Sequence, residues 1–544
     1  MSTFKFKSRI SKVFFADVDL SRISFLYLLF SFSSIAMITE ALLFKYAFIV
    51  EFEAAINLEV FIILFTVCIS FLVSGKVVDY IKNRTNSFNY ILFLTLIGLF
   101  LTVFSNVKPV YYTGLFIILF TLPQLIVLWF TILVHETNIL NRGRVTAFLI
   151  IMSFIIGTTG AFFVLFEPLY NYFFILEGAM LILIWGVSKK YKYLETEERL
   201  RSDKKYFKII FEKHFFRYSS SFTILSFILG NLLATHGYDM DLLVFCIASF
   251  LYIIAAGWFL DNIGRKISIV LGILLLSFFL ISSGSFIGSE YIFGIPKRIF
   301  LGIHYAFSIT PLLLAIFTIS GDFSIERGNL KFRGRINGLF MGLMFLGIII
   351  GFLFTRWISD LPGVDLFIPN FSSLINSFAL VILLVWMMSM KEFLVSKERN
   401  WASTIKILYV FNNTGVCFYS YNFESKDQKL YAKEDECMDE DLVSSALTGV
   451  LSILSEITHS KKKLRRIEKD DDYLYFSYGK NHITTLISSM DLPVLTRKLD
   501  NFSKDFEDKF YEDLKKFVGN MTPFESTKYL IKKNFTQKYA FLTE

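Results

Sequence analysis

Acidic and basic side chains stand close together in a short polar break between two long apolar runs. In the stretch GWFLDNIGRK, Gly257 is followed by Asp261, Arg265 and Lys266. An aspartate just past the C-terminal end of a helix faces the negative end of the helix dipole, at a cost of about 0.3–1 kcal/mol. Its carboxylate therefore needs a partner, and a helix N-terminus or a nearby arginine supplies one. These residue types predict ion pairs at helix ends and give no sign of hydrolytic chemistry.

The same arrangement occurs earlier in the chain, in the stretch GKVVDYIKNR. Gly75 and Asp79 precede the later glycine and aspartate by 182 positions (257 minus 75), and Arg84 supplies the basic charge. The missing side chain of each glycine allows another helix to approach closely. Two copies of this pattern favour a role in gating over an ordinary polar loop between helices, which is the alternative.

A second repeated pair consists of two short arginine-rich loops. LNRGRVTAF contains Arg142 and Arg144, and KFRGRINGL contains Arg333 and Arg335, 191 positions later (333 minus 142). Both repeats fall at corresponding places in two halves of the chain, which is typical of secondary transporters. We expect these charges to hold the ends of the two halves together in one state and to release them in another.

The elements that carry these loops are long and apolar. Of 544 residues, 54% are hydrophobic and 64 are phenylalanine, which is more than a soluble protein of this size hides from water. Residues 392–544 have the charge density of a soluble domain, whereas residues 22–391 consist mostly of apolar runs. The composition therefore predicts a polytopic membrane protein with a soluble C-terminal domain.

A helix needs roughly 20 apolar residues to cross the hydrocarbon core of a bilayer. On that rule the sequence predicts twelve spans, at about 22–47, 57–78, 88–106, 110–135, 144–166, 170–188, 217–237, 241–260, 267–288, 293–319, 335–356 and 371–391. Basic residues concentrate in alternate loops and acidic residues in the others, which is a positive-inside pattern. The predicted location is the cell membrane, with the N- and C-termini both cytoplasmic.

The sequence thus predicts an all-α polytopic membrane protein, with twelve transmembrane helices in two pseudo-symmetric six-helix bundles and a small α+β cytoplasmic C-terminal domain. Each bundle has its glycine–aspartate loop between its second and third helices. The expected parts are a cytoplasmic N-terminal segment (1–21), an N-terminal bundle (22–188), a cytoplasmic linker (189–216), a C-terminal bundle (217–391), an α+β domain (396–520) and a C-terminal tail (521–544).

The loops resemble the signature loops of the major facilitator superfamily, whose pattern G-x-x-x-D-x-x-G-R-[RK] follows spans 2 and 8. The second copy fits this pattern from Gly257 to Lys266, whereas the first copy has Lys82 and Asn83 where the later glycine and the first basic residue are expected. NRGR and FRGR are similar to the family's loops after spans 4 and 10. The resemblance covers about residues 20–391 and implies a central cavity and alternating access by rocking of two bundles.

The fold that this resemblance implies lines its cavity with spans 1, 4, 7 and 10. A charge at mid-membrane costs about 2.5–3.5 kcal/mol, so polar residues in these spans need a reason. The candidate substrate-binding residues are Glu40, Gln124, Asn231, His236, Lys297, His304 and Ser308. Three have alternatives: Glu40 at the outer interface, Asn231 in a helix–helix hydrogen bond, and His304 satisfied by a neighbour. Glu177, deep in span 6, is the candidate proton-coupling residue, with a structural role as its alternative.

The C-terminal segment predicts an α+β domain with the element order β-β-α-β-β-β-α. Its first helix, 440–457, is amphipathic, and its last, 493–517, begins at a proline. This order resembles the longin and roadblock class of regulatory domains, which implies a small GTPase or another cytoplasmic protein as a partner through residues 396–520. The alternative is a module that only stabilises the membrane part.

The sequence therefore predicts a secondary active or facilitative transporter of a small solute, working in the lipid bilayer by alternating access. The alternative is a transporter-derived sensor or scaffold that signals through its cytoplasmic domain. The chain has no HExxH, P-loop or G-x-S-x-G motif, and its four cysteines show no metal-binding spacing. We therefore expect no enzyme activity, no cofactor or metal, and no nucleic-acid partner.

Overall fold

The computed structural model describes residues 20–535 of the chain apart from a set of gaps. These gaps are 50–57, 82, 105–106, 162, 164–169, 192–208, 212, 237–241, 286–290, 293, 326–331, 360–370, 390–400, 424–439, 458–463, 471 and 518. The chain divides into two compact units, 1–393 and 394–544, which we call the membrane unit and the C-terminal unit.

The membrane unit contains twelve helices of 18 residues or more among its described residues. They are α1 (Arg22–Ile49), α2 (Leu58–Tyr80), α3 (Arg84–Phe104), α4 (Lys108–Glu136), α5 (Arg142–Ala161), α6 (Tyr170–Lys190), α7 (Lys213–His236), α8 (Leu242–Asn262), α9 (Arg265–Ser285), α10 (Lys297–Ile325), α11 (Arg333–Ser359) and α12 (Phe371–Met388). A short antiparallel hairpin of β1 (Tyr291–Ile292) and β2 (Ile295–Pro296) precedes α10. Each helix lies within a few residues of a predicted span.

Eight of these helices are long and apolar enough to cross a membrane on their described residues alone: α1, α3, α4, α5, α6, α8, α10 and α11. They support a multi-pass membrane protein, because each presents an apolar run that matches the bilayer core. The described residues of α2, α7, α9 and α12 do not meet the same standard, so the count of twelve spans stays a prediction.

Helix α11 packs against two other helices through glycines on different parts of its length. Near its N-terminal end, a Cβ atom on Gly338 would lie 2.5 Å from the carbonyl oxygen of Phe71 in α2. Further along, Gly351 lies at least as close to the backbone of Phe227 in α7. No side chain fits between backbones at such distances, so both contacts require glycine. The first contact fixes the N-terminal end of α11 beside the end of α2.

The C-terminal unit begins with a 3₁₀ turn (Trp401–Ser403). Its further elements are β3 (Ile405–Phe411), β4 (Cys417–Asn422), α13 (Glu440–Ile457), β5 (Arg466–Lys469), β6 (Asp472–Tyr478), β7 (Ile483–Ser488), α14 (Pro493–Lys515), a second 3₁₀ turn (Thr522–Ser526) and α15 (Thr527–Phe535). Strands β3–β7 form one antiparallel sheet in the order β4-β3-β7-β6-β5. The observed order up to α14 matches the predicted β-β-α-β-β-β-α order.

Helices α13 and α14 cover opposite faces of this sheet. Successive side chains of a strand point to opposite faces, so the contacts of each helix show which face it covers. Tyr409 and Phe411 belong to the face against which Leu447 of α13 packs. On the other face, Ser477 donates a hydrogen bond of 2.7 Å to Asp500 of α14. The unit therefore has three layers, helix, sheet and helix, with one apolar core on each side of the sheet.

The C-terminal unit extends beyond the domain boundary that the sequence predicted at residue 520. The ring of Phe535, in α15, lies 5.6 Å from the ring of Phe502 in α14 and 5.6 Å from that of Phe423. Lys533 of α15 also forms an ion pair of 2.7 Å with Asp505 of α14. Helix α15 is thus part of the packed unit, although its sequence lies in the segment predicted as a tail.

Candidate functional site

The end of α2 meets the start of α11 at a contact between backbones. A Cβ atom on Gly75 would lie 2.7 Å from the carbonyl oxygen of Gly334, so a side chain at position 75 would collide with the facing helix. At this contact Asp79 Oδ1 accepts a hydrogen bond from the backbone nitrogen of Gly334 at 2.7 Å, and Oδ2 accepts one from Arg335 N at 3.2 Å. The guanidinium Nε of Arg335 lies 3.4 Å from the same carboxylate.

The end of α8 meets the start of α5 in the same manner. A Cβ atom on Gly257 would lie 2.7 Å from the carbonyl oxygen of Gly143. Asp261 accepts hydrogen bonds from the backbone nitrogens of Gly143, at 2.9 Å, and Arg144, at 2.8 Å. The Nε of Arg144 lies 3.2 Å from Asp261 Oδ2. The two contacts therefore repeat one geometry with the roles of the two halves exchanged.

Each aspartate is stabilised by the helix that faces it. The first backbone N–H groups of a helix have no partner within the helix, and its N-terminus carries a partial positive charge. Asp79 and Asp261 satisfy those groups across the contact, which offsets the unfavourable position of each carboxylate at its own helix end. We call these residues the clamp: Gly75, Asp79, Gly334 and Arg335 in one contact, and Gly143, Arg144, Gly257 and Asp261 in the other.

A buried chain of charges extends the second contact. Arg265 Nη1 donates to Asp261 Oδ1 at 2.7 Å, and Arg265 Nε donates to Asp322 Oδ2 at 2.8 Å. The guanidinium of Arg142 forms an ion pair with the other oxygen of Asp322. Arg142 and Arg265 are fully buried, and Asp261 and Asp322 are each 2% exposed. Asp322, near the end of α10, thereby connects an arginine from each half.

Asp322 is a buried, ion-paired residue beside the clamp that the sequence pattern did not predict. It lies three residues after the predicted tenth span (293–319), in the stretch TISGDFSI, and has no counterpart in the first half of the chain, where Thr131 lies 191 positions earlier (322 minus 191). The repeats identified the charged residues of the clamp but do not include Asp322. The one available signal was an acidic residue directly after an apolar run.

Gly264 stands at the turn between α8 and α9, in a backbone conformation that favours glycine. Its backbone φ is +127°, a conformation that L side chains rarely adopt, and α9 begins at the next residue. This turn places Arg265 in the first turn of α9, facing Asp261. In the first copy Asn83 occupies the position that corresponds to Arg265, and its side chain accepts a hydrogen bond from the backbone of Asn86 at 3.2 Å. The first copy therefore has an asparagine at the position of Arg265, and Arg84 is the following basic residue.

Three other predicted gating residues differ in their placement. Arg84 is 5% exposed and its charge acts on Asp79. Arg333 is half-buried and its charge acts on Arg142, so the two clamp contacts share one end of the membrane unit. The ammonium of Lys266 donates to the carbonyl of Met388, at the end of α12, at 2.9 Å. This contact supports a helix C-terminus, and a gating role for Lys266 stays a prediction.

Glu40 is a predicted substrate-binding residue that contacts its own half of the chain and whose charge reaches the other half. It is half-buried in α1, and a Cβ atom on Gly157 of α5 would lie 2.9 Å from its Oε1. Thr158 hydrogen-bonds to its carboxylate, and the Glu40 charge acts on Cys246 of α8. Gln124 is also half-buried and follows Pro123, a proline inside α4.

Asn231 is bonded to two neighbouring helices. Its Nδ2 donates to Asn376 Oδ1 in α12 at 2.8 Å, and its Oδ1 accepts a hydrogen bond from Thr355 in α11. The side chain is fully buried, so these contacts match the helix–helix alternative, and a ligand role stays a prediction. His236 is the last residue of α7, and its side chain lies outside the described part of the chain.

The predicted stripe of Lys297, His304 and Ser308 lies along α10 as its spacing requires. The His304 ring stacks on Phe300 at 4.6 Å and lies 5.0 Å from the Phe278 ring of α9. The hydroxyl of Ser308 donates to the His304 carbonyl at 2.8 Å, within its own helix. These contacts place His304 against α9, and a substrate-binding role for this stripe stays a prediction.

Glu177 is fully buried in α6 and bonds to α1. Ser34 Oγ donates to Glu177 Oε2 at 2.7 Å, whereas Oε1 has no hydrogen-bond partner among the described residues. Beside it, Ser33 of α1 bonds to Ser153 of α5 at 3.2 Å. Hydroxyls on α1 thus connect this carboxyl group and α5 in an otherwise apolar interior.

Comparison with known proteins gives a fold and no relative by sequence. No protein-family model and no curated protein matches the chain. The chain resembles the crystal structure of the major facilitator superfamily (MFS) transporter FucP in the outward conformation, at 13% identity and a TM-score of 0.49, over 68% of this chain and 99% of that one. It also resembles the MFS proton:xylose symporter XylE bound to 6-bromo-6-deoxy-D-glucose, at 13% identity and a TM-score of 0.50, over 68% of this chain and 95% of that one. With its apolar helices and reciprocal contacts, the membrane part of this chain therefore has the fold of the major facilitator superfamily.

Proposed function

We propose that the protein is a secondary active or facilitative transporter that moves a small solute across the membrane by alternating access. The clamp is the observation that supports this function. Asp79 joins α2 to the N-terminus of α11, and Asp261 joins α8 to the N-terminus of α5. Contacts of this polar kind exchange with water when they open, whereas a permanent contact between helices is served better by apolar packing.

The energetics of the clamp suit a two-state element. A hydrogen bond to a charged group contributes about 1.5–3 kcal/mol, and each aspartate accepts at least two across its contact. Several such bonds hold the closed state, yet the same groups regain water when the ends separate. A solute that binds the alternative state only a few kcal/mol more tightly is then sufficient to shift the equilibrium.

The proposal includes the finer architecture expected from the sequence. It has twelve transmembrane helices, in an N-terminal bundle (22–188) and a C-terminal bundle (217–391) joined by a linker (189–216). In this proposal the clamp and both termini lie on the cytoplasmic side of the cell membrane. The reciprocal geometry of the two contacts supports the division into two related bundles, because a two-fold relation between bundles exchanges α2 with α8 and α5 with α11.

For the solute we propose a small molecule held between the bundles, with the seven predicted binding residues as candidates. Glu40 has the best support, because it is half-buried, contacts α5 and acts on α8. Glu177 is proposed as the coupling residue, since its carboxyl group is buried with one oxygen unpartnered among the described residues. FucP and XylE are named as proton-coupled sugar transporters, and fucose and xylose therefore enter the first panel of solutes to test.

The C-terminal unit is proposed as a regulatory or interaction domain, with a longin-like fold and a cytoplasmic protein as its partner. It is a compact unit with its own core, which also favours the second candidate function, a sensor or scaffold that signals through this unit. Tracer flux into vesicles that contain the purified protein distinguishes the two. Uptake of a labelled solute supports transport, and ligand binding without flux supports a sensor.

A cross-link between α2 and α11 makes the flux experiment specific. A Cβ atom on Gly342 of α11 would lie 3.4 Å from the carbonyl oxygen of Cys68 in α2, so Gly342→Cys introduces a cysteine that faces a native one. Joining the two should abolish flux, and reduction should restore it. Gly178→Cys is the matched control, because nothing lies within 4 Å of a Cβ there. Flux that continues through the cross-linked protein would contradict alternating access.

A further inference from the structure

Helix α13 of the C-terminal unit has more apolar surface than the sheet covers. Val443, Leu447 and Leu451 pack against the sheet. A second apolar row lies on another side of the helix and faces solvent. This outer stripe consists of Leu442, Ala446, Gly449, Val450, Ile453 and Ile457. Its spacing of three or four residues puts all six on one side of the helix.

The exposure of the outer stripe is large for such residues. Leu442 is 65% exposed, Ile453 is 58% exposed and Ile457 is 70% exposed. Single exposed apolar residues are common, but a continuous row along about four turns of a helix marks an interaction surface. The stripe therefore requires an occupant that the single chain does not supply among its described residues.

Gly449 indicates what kind of occupant fits. A glycine in a helix interior destabilises the helix relative to alanine, and here nothing lies within 4 Å of the position of a Cβ atom. The packing of the single chain gives no reason for it. Gly449 lies at the centre of the stripe, midway between Leu442 and Ile457. A glycine at the centre allows a second helix to cross with its backbone close.

The outer stripe is symmetric about that centre. Paired positions add to the same number, 899, for Leu442 with Ile457 and for Ala446 with Ile453. Two copies of α13 that lie antiparallel therefore place apolar residues opposite each other along the whole stripe. A two-fold axis at Gly449 and Val450 generates this arrangement from one surface, as an isologous dimer contact requires.

The charges on either side of α13 favour the same arrangement. The sequence has six acidic residues in 434–441 and five basic residues in 461–466. An antiparallel pair places the acidic end of each helix beside the basic end of its partner. An anionic bilayer surface would attract one end and repel the other, so the charge pattern fits it less well.

We propose that α13 is a dimer interface, at which the outer stripe packs antiparallel against the same stripe of a second copy of this chain. The interface joins the C-terminal units and is independent of whether the membrane unit transports a solute.

Disulfide cross-linking of the full chain in lipid nanodiscs tests both the contact and its direction. The background carries Cys246→Ser and Cys437→Ser, which leaves the buried Cys68 and Cys417. Val450→Cys should cross-link with itself, because this residue lies at the axis. Leu442→Cys should not, since 15 residues of helix separate it from its pairing position, about 22 Å. A mixture of Leu442→Cys and Ile457→Cys proteins should cross-link, and Ser452→Cys, on the polar side, should not.

Gly449→Leu separates the interface from the fold. A leucine there has space in the single chain and is a better helix former, so thermal stability should be unchanged or higher. Cross-linking through Val450→Cys should fall at least tenfold. Unchanged cross-linking, self-linking of Leu442→Cys, or a single copy per nanodisc by light scattering would each overturn the proposal. Quenching of a fluorophore at Ile453→Cys by brominated lipids would assign the stripe to the bilayer and would overturn it as well.

Discussion

The carboxylate of Asp79 and the backbone nitrogen of Gly334 form a 2.7 Å hydrogen bond between residues that are 255 positions apart. Asp261 and Gly143 form its counterpart at 2.9 Å. In each bond an acid at the end of one helix satisfies the N-terminus of a helix from the other half. The two contacts differ in their surrounding charges, and this difference makes their contributions to closure separable.

Replacing Asp261 should open the clamp more than replacing Asp79. Asp261 bonds to Arg144 of the other half at 3.2 Å and to Arg265 at 2.7 Å, and Arg265 connects it through Asp322 to Arg142 of the other half. Asp79 has Arg335 Nε at 3.4 Å and is not part of such a buried chain among the described contacts. Asp261→Asn therefore removes more electrostatic stabilisation, about 1.5–3 kcal/mol for each charged hydrogen bond. The open population should rise roughly tenfold or more.

The measurement is the rate at which a water-soluble maleimide labels Cys68, in protein whose other three cysteines are serine. Cys68 is 6% exposed and lies beside Gly342 across the α2–α11 contact, so opening exposes its thiol. Asp79→Asn should raise the rate less than Asp261→Asn. Equal rates in both variants and the parent would show that the aspartates do not hold the contact closed.

Asp322, beside the second clamp contact, should affect stability more than any residue of the clamp. Its carboxylate is shared by Arg142 and Arg265, and all three side chains are buried. Asp322→Asn leaves two buried cations with one acid between them, and such a loss costs about 3–5 kcal/mol. The melting temperature in detergent should fall clearly. Adding Arg142→Met should recover part of the loss, because the second change removes one uncompensated charge; a further fall instead would exclude this ion pair as the cause.

Gly334→Ala should weaken closure by a steric route. The new Cβ atom would lie 2.6 Å from Asp79 Oδ1 and 2.6 Å from the carbonyl oxygen of Gly75. Both are fixed atoms of the contact, so the helices must separate, and Cys68 labelling should accelerate. Gly178→Ala in α6 is the control, since its Cβ meets nothing within 4 Å. If both alanines leave labelling unchanged, close approach at Gly334 is not required for closure.

The sequence predicted well those parts of the structure that depend on repeated motifs or on periodic apolar residues. Long apolar runs located α1–α12 to within a few residues, and duplicated loops singled out Asp79 and Asp261, which bond to the N-termini of α11 and α5. Asp322 was not predicted, because it has no counterpart in the repeat. Its role depends on where α10 ends relative to α5 and α9, which is a tertiary relation that no local pattern encodes.

Polar residues inside the helices were harder to interpret for a related reason. Helical spacing correctly put His304 and Ser308 on one side of α10, but it did not show that the serine hydroxyl donates to its own helix. Asn231 likewise depends on two distant helices, α11 and α12, for its partners. A polar side chain in a membrane helix needs a hydrogen-bond partner, and the sequence does not say whether a solute or a neighbour supplies it.

Glu177→Gln should test proton coupling without altering packing. Glutamine has nearly the same shape and can still accept the hydrogen bond from Ser34, but it cannot carry a proton to or from the site. If the carboxyl group couples transport, the variant should lose the pH dependence of tracer flux while keeping exchange of solute across the membrane. Ser34→Ala, which removes the donor and keeps the acid, is the matched control and should retain a pH dependence. Flux by Glu177→Gln with the parent's pH profile would end the coupling hypothesis.

His482 should make the C-terminal unit sensitive to acid. Its ring is fully buried beside Phe506, its Nε2 lies 2.9 Å from Ser503 Oγ, and burial lowers its pKa to about 4. The unfolded chain binds a proton near the ordinary pKa of about 6.5, so stability is complete above that pH and is lost progressively as the pH falls towards 4. Between about pH 7.5 and pH 5 the loss should be about 2 kcal/mol. Hydrogen exchange of the full chain should then show faster opening of β6, β7 and α14 at the lower pH, after correction for the intrinsic exchange rate. His482→Gln, which does not titrate, should remove most of this pH dependence; if it keeps the full loss, other groups destabilise the unit in acid.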